Sequence, residues 1–232
     1  MLFTAQTHAN IVINGTRVIY DASDKEVTLR LNNATAQPSL VQVWLDSGDA
    51  RSTPDNGKSP FIATPPIFRV DSNKGQTVRI VYTHEPLPQD KESVFWVNVL
   101  DVPPMPIAKK DDDANYMQLA IRSRIKLFFR PKNLPGTPVE AAAQIHWELV
   151  QKPDGLVLHA TNDSAFHVSL GSTTLIFGDK SYEASTEMLA PGTSLDFPIK
   201  ELKKIPTEPV KLNYLTVNDF GGIVEHSVSL LQ

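Results

Sequence analysis

"YMQLAIRSRIKLFFRP", residues 116–131, decides the fold. Its odd positions Met117, Leu119, Ile121, Ile125, Leu127 and Phe129 are apolar, with Ser123 the one exception. The even positions include Gln118, Arg122, Arg124, Lys126 and Arg130. Successive side chains of an extended chain point to opposite faces, so strict alternation predicts a strand with two unlike faces. A strand over about 115–130 greatly exceeds the usual length of about 5–6 residues. It sets a long apolar row on one face and a row of cations on the other.

The same period recurs on both sides of this stretch. Upstream, "NIVINGTRVIYDASDKEVTLRLNNATAQPSLVQVWLDSG" reads as strands separated by turn residues, with Val27, Leu29 and Leu31 alternating before the Asn-Asn stop. "PFIATPPIFRVDSNKGQTVRIVYTHE" and "ESVFWVNVLDVPP" follow the same pattern with proline punctuation. Proline outnumbers glycine, 18 to 11, and no helical apolar period persists. Short strands with turn signals every 8–12 residues predict an all-β chain of the sandwich type. Three prolines and a glycine in "PKNLPGTPVEAAA", residues 131–143, mark a boundary. Shorter strands resume beyond it at "IHWELV", "LVLHATN", "HVSLGSTTLIF", "KLNYLTVNDFGG" and "EHSVSLL". Two β-sandwich domains in series are expected, over 1–132 and 138–232.

A chain of 232 residues with 41% hydrophobic and 21% charged residues is long and apolar enough to bury two cores. The formal charge of −4 gives no basic footprint for nucleic acid, and no apolar run approaches the roughly 18 residues of a membrane span. No cysteine is present, which excludes a disulfide, a thiolate nucleophile and a cysteine-type zinc site. Residues 1–9 lack the basic and apolar regions of a complete secretion signal; they read either as the tail of a trimmed signal or as an untethered tail.

The six histidines show no metal-ligand spacing, and neither a nucleophile elbow, a P-loop nor a dinucleotide glycine motif occurs. No catalytic residue, metal or cofactor is expected, and the chain is read as not an enzyme. "KKDDDAN", residues 109–115, lacks the alternating carboxylate spacing of a calcium loop and reads as a solvated loop. Glu92 opens a strand rich in aromatic and aliphatic residues. It is either a carboxylate at a core edge in need of a cation, for which Arg130 is a candidate, or an exposed strand-start residue.

"LPQDKESVFWVNVLDVPP", residues 87–104, together with "GTRVIYD", "ATPPIFRVD", "RIKLFFRP" and "VNDFGG", resembles the periplasmic chaperones of the chaperone–usher pathway, typified by those of P and type 1 pili. The resemblance covers nearly the whole chain from Asn10. It implies two immunoglobulin-like domains in a boomerang arrangement and a chaperone that lends its own G strand to pilin subunits, which are immunoglobulin folds lacking their last strand. Pilin subunits and an outer-membrane usher are the implied partners, a self-capping dimer is a further one, and the implied location is the periplasm. The alternative is a two-domain immunoglobulin-like surface structural or adhesive protein that associates through its edge strand.

By residue, the resemblance implies that Met117, Leu119 and Ile121 enter the subunit's groove. Arg17 and Lys126 match the pair of cations that anchors the subunit's C-terminal carboxylate. Glu92, Arg130 and Asp219 match a structural ion network between the domains. Two departures accompany the match: the cysteine pair near the C-terminus of some members is absent, and "PPMPIAKKDDDAN" is short, as in the branch that serves thick, rod-like pili.

Overall fold

The computed structural model describes residues 11–105, 118–199, 202 and 204–230. The chain divides into two compact units, Met1–Leu87 with Val94–Phe129, and Pro88–Ser93 with Arg130–Gln232.

The first unit contains β1 (Ile11–Ile13), β2 (Arg17–Asp21), β3 (Val27–Asn33), β4 (Ser39–Asp46), β5 (Phe61–Thr64), β6 (Ile67–Val70), β7 (Gly75–Tyr82), most of β8 (Ser93–Val102) and most of β9 (Ile121–Arg130). One sheet has the order β1-β3-β7-β5, the other β2-β9-β8-β4-β6. Alternation does what the sequence requires of it. Leu29 and Leu31 of β3 and Val78 and Ile80 of β7 turn inward from one sheet. They share a core with Val41, Val43, Val97, Val99, Leu127 and Phe129 of the other. Each such side chain contributes about 1.5–3 kcal/mol by leaving water. An aromatic cluster closes one end: ring centroids lie 5.2 Å apart for Tyr20–Phe61, 5.1 Å for Phe61–Phe95 and 4.7 Å for Tyr82–Phe129. The buried Tyr20 hydroxyl donates to the Lys25 carbonyl at 3.0 Å and accepts from the Tyr82 amide at 3.2 Å, so its desolvation is compensated.

The second unit holds α1 (Pro138–Ala143) and β10 (His146–Lys152), β11 (Gly155–Asn162), β12 (Leu170–Phe177), β13 (Lys180–Ala184), β14 (Thr193–Pro198), β15 (Val210–Val217) and β16 (Ile223–Leu230). Its sheets run β10-β11-β14 and β13-β12-β15-β16. Trp147, Leu158, Leu175, Leu189, Leu212 and Tyr214 are among the side chains of their shared core.

Three features depart from the sequence reading. The segment read as a boundary carries α1: Thr137 Oγ1 accepts from the Glu140 amide at 3.2 Å and donates to Glu140 Oε2 at 3.0 Å, an N-cap ahead of Pro138. Strands β13 and β14 went unread because "KSYEA" and "TSLDFP" alternate over only two apolar residues each, Tyr182 with Ala184 and Leu195 with Phe197; β13 is an edge strand paired to β12. Finally, β9 begins at Ile121, whereas alternation predicts a strand from about 115. Residues 118–120 stand outside the pairing that β2 and β8 supply, and 115–117 lie outside the described residues. Among the described residues no helix is long and apolar enough to cross a membrane.

Candidate functional site

The two ends of β9 differ in what covers them. Leu127 and Phe129 are fully buried and Ile125 packs against the core, whereas Ile121 is 41% and Leu119 66% exposed. All five sit on one parity of the chain, so the exposed pair continues the core row beyond the core. On one flank β9 has β8, and on the other β2, which is five residues long against ten for β9. Arg17, the first residue of β2, lies with its guanidinium 5.8 Å from the Phe128 ring, near the C-terminal end of β9. A strand edge with uncovered backbone and apolar side chains is a template for a further strand. Met117 lies outside the described residues.

Lys126 belongs to the opposite face of β9. Burial pushes its ammonium below the ordinary lysine value, and the charge of Arg17 pushes it further the same way. Two cations held together in a partly dry setting favour an anion, because binding one relieves both desolvation and repulsion. Lys126 Nζ also lies 5.7 Å from the centroid of Trp96 on β8.

Further along that face stands a group that sequence reading did not single out. Asp46, at the end of β4, has a side chain only 1% exposed. Its Oδ1 accepts from Arg124 Nη2 at 2.5 Å and from the Gly48 amide at 2.7 Å, and its Oδ2 accepts from Ser52 Oγ and Asn98 Nδ2, each at 2.7 Å. Arg122 Nη2 is 3.8 Å from Oδ2, and its guanidinium donates to Asn98 Oδ1 at 2.6 and 3.0 Å and to the Ala50 carbonyl at 3.0 Å. Arg122 lies 4.9 Å from the Trp44 ring and Arg124 4.2 Å from the Trp96 ring. Burial alone would raise the Asp46 carboxyl, but the bonds from Arg124, Asn98, Ser52 and Gly48 outweigh it and hold it below its ordinary 3.8. A carboxyl with a lowered folded value contributes stability above pH 3.8 that is lost as the pH falls through that lowered value. Asp46→Asn is therefore expected to be less stable at pH 7 yet to lose less between pH 5 and pH 2, read as the shift in urea midpoint. An unchanged acid slope would contradict the assignment.

In the second unit, Arg130, the last residue of β9, is the hub of a buried ion network. It donates to Glu92 Oε1 from Nε at 3.2 Å and Nη2 at 2.8 Å. A second, forked pair goes to Asp219, from Nη1 to Oδ2 at 2.8 Å and from Nη2 to Oδ1 at 3.1 Å. The other Glu92 oxygen accepts from the His167 amide at 2.9 Å and lies 3.0 Å from His167 Nδ1. The Phe166 ring backs the guanidinium at 5.4 Å. Glu92 is thus the core-edge carboxylate of the two readings the sequence left open, with a side chain 2% exposed. The pairing loop that presents Asp219 is built by Asn218, whose Oδ1 accepts from the amides of Phe220 at 3.0 Å and Gly222 at 2.8 Å; Gly221, at φ +82°, supplies the left-handed turn.

Residues 10–135 match the family described as pili and flagellar-assembly chaperone, PapD N-terminal domain, and residues 140–228 match the pili assembly chaperone PapD, C-terminal domain. The probable fimbrial chaperone YadV of Escherichia coli K12 is 41% identical over 231 residues, 99% of this chain and 94% of its own. The chain belongs to the pilus-assembly chaperone family. The crystal structure of the YadV chaperone superposes with a TM-score of 0.82 at 39% identity, covering 96% of this chain and 100% of that one. The SafB chaperone, in its complex with the SafA pilin of Salmonella enterica, gives a TM-score of 0.77 at 27% identity, with 98% and 99% covered. The two domains of this chain are accordingly immunoglobulin-like, as the motifs implied.

Within this pilus-assembly chaperone, the signal for His167 was weak, because a single histidine after Phe166 has no spacing partner; only the fold brings it to Glu92. Asp46 had a better signal. In "VWLD" apolar residues fill both parities up to the acid, and an acid that closes such a run of β4 requires donors or cations once buried. The "KKDDDAN" loop lies outside the described residues.

Proposed function

We propose that the protein is a periplasmic chaperone that stabilises pilin subunits by lending them β9 and delivers them to an outer-membrane usher. The reading is carried by one observation: Leu119 and Ile121 extend the apolar row of a core strand into solvent, and the strand flanking that edge, β2, is half as long as β9. A subunit lacking its last strand needs backbone partners and apolar side chains at alternate positions, and this segment offers both. Met117 extends the same row in the sequence. Arg17 and Lys126 anchor the subunit's terminal carboxylate, which fixes the register of the pairing, since a slip of one residue would turn the apolar row away from the groove. The Glu92–Arg130–Asp219 network serves as a structural tie. Binding draws on template folding of the subunit, so it calls for no nucleotide, metal or catalytic residue. In the absence of a subunit the same edge offers itself to a second copy, which makes a self-capping dimer part of the proposal.

The test is co-expression with a pilin subunit and recovery of the one-to-one complex from the periplasm. Leu119→Asp with Ile121→Asp is expected to cut recovery at least tenfold, because each enclosed side chain is worth about 1.5–3 kcal/mol, while leaving the melting temperature of the free chaperone nearly unchanged. Equal recovery with the double variant would refute strand donation; binding of a glycan without any pilin would favour a surface adhesive protein instead.

A further inference from the structure

The cations of β9 lie on one face at every second residue, Arg122, Arg124 and Lys126, about 6.5–7 Å apart along the strand. Arg17 adds a fourth nearby charge, felt at Lys126. Such a row is self-repelling unless something fixes where each charge sits. Asp46 does so for two of them, and it is itself immobile, with both oxygens bonded to Ser52, Asn98 and the Gly48 amide as well as to Arg124. In the register of β4 with β8, Asp46 is the direct partner of Trp96. The carboxylate therefore pins the Arg124 guanidinium over the Trp96 ring, 4.2 Å from its centroid, while Lys126 Nζ is left 5.7 Å from the same centroid. One ring serves two cations, and the one tied to a buried acid holds the central place. Lys126 is thereby kept at the margin of the ring.

We infer that Asp46, acting through Arg124 and Trp96, is a positioning residue for the Lys126 ammonium and so sets where a terminal carboxylate is held. The consequence for carboxylate binding rests on the proposed function; the placement of the ammonium does not. With Asp46 neutral, the Arg124 charge is uncompensated and mobile. It then repels Lys126 more strongly and competes with it for an incoming carboxylate at a site two residues out of register.

Two readouts on the free, full-length chaperone test this. The Lys126 Cε resonance, assigned by its loss in Lys126→Arg, is followed against pH, and then against acetate at constant ionic strength. In Asp46→Asn the Lys126 titration midpoint is expected to fall further below that of the unaltered protein, and half-saturating acetate to rise about fivefold. A purely structural Asp46 would lower the melting temperature and leave both readouts where they were; that result would overturn the inference. Should Asp46→Asn fail to fold, Trp96→Leu keeps the Asp46–Arg124 bond and is expected to weaken acetate binding by a similar factor, with Trp96→Phe restoring most of it; equal binding in Leu and Phe variants would count against the inference in the same way. An unaltered protein whose Lys126 ignores acetate, but whose midpoint still falls in Asp46→Asn, would refute the carboxylate anchor and leave the positioning role standing.

Discussion

Arg130→Met is expected to destabilise the second unit by about 3–5 kcal/mol, the range found when one partner of a buried ion pair is removed. Glu92, whose side chain is 2% exposed, would keep its bonds at His167 and lose both donors on Oε1. Asp219, with a side chain 32% exposed, would lose its forked partner but retain access to water. Removing the acid together with the base should therefore recover much of the loss: Arg130→Met with Glu92→Met is predicted to be more stable than Arg130→Met alone. Asp219→Asn should cost less than either single change at the buried pair. Urea unfolding followed by the fluorescence of Trp147, buried in the same unit, measures these differences. A cost below about 1 kcal/mol for Arg130→Met would place this network with ordinary surface pairs.

Lys126→Ala and Arg17→Ala are each expected to reduce recovery of a co-expressed pilin more than tenfold, since a hydrogen bond to a charged group is worth about 1.5–3 kcal/mol. Unchanged recovery would sink the anchor assignment. The same site predicts a pH dependence whose sign follows from the lowered ammonium. Because burial and Arg17 hold Lys126 below its ordinary 10.5, the free chaperone gains stability as the pH rises from the lowered value to 10.5. Carboxylate binding requires the charged form and is lost over the same rise. Binding should therefore weaken at a pH where an ordinary lysine would still be charged, and Lys126→Arg, which keeps its charge throughout, should abolish that decline. An affinity that stays level until pH 10.5 would show that the ammonium is not the binding group.

What could be read from the chain follows the range over which each signal acts. Alternation is local, so it exposed β3, β4, β7, β8 and the core half of β9 directly. It failed for β13 and β14, whose apolar rows are only two residues long, Tyr182 with Ala184 and Leu195 with Phe197, and which pair with β12 and β11. The helix α1 was hidden by its prolines, although Thr137 and Glu140 at a spacing of three are a start signal that the turn residues around them obscured. Phe128 contradicts the simple two-face reading of its strand: it stands among the cations and is buried.

The all-β class, the two-domain pattern and the row in which Leu119, Ile121, Ile125, Leu127 and Phe129 share one parity can be read along the chain alone, because a period of two depends only on neighbouring residues. Where that row leaves the core was decided by tertiary structure, since exposure at Leu119 and Ile121 depends on how far β2 and β8 extend beside them. The charge networks were likewise beyond the sequence. Arg130 meets Asp219 at a sequence separation of 89 and Arg124 meets Asp46 at one of 78, and no local period records such distances. A buried carboxylate needs a donor within about 3 Å, and only the folded chain fixes which of 22 cations supplies it.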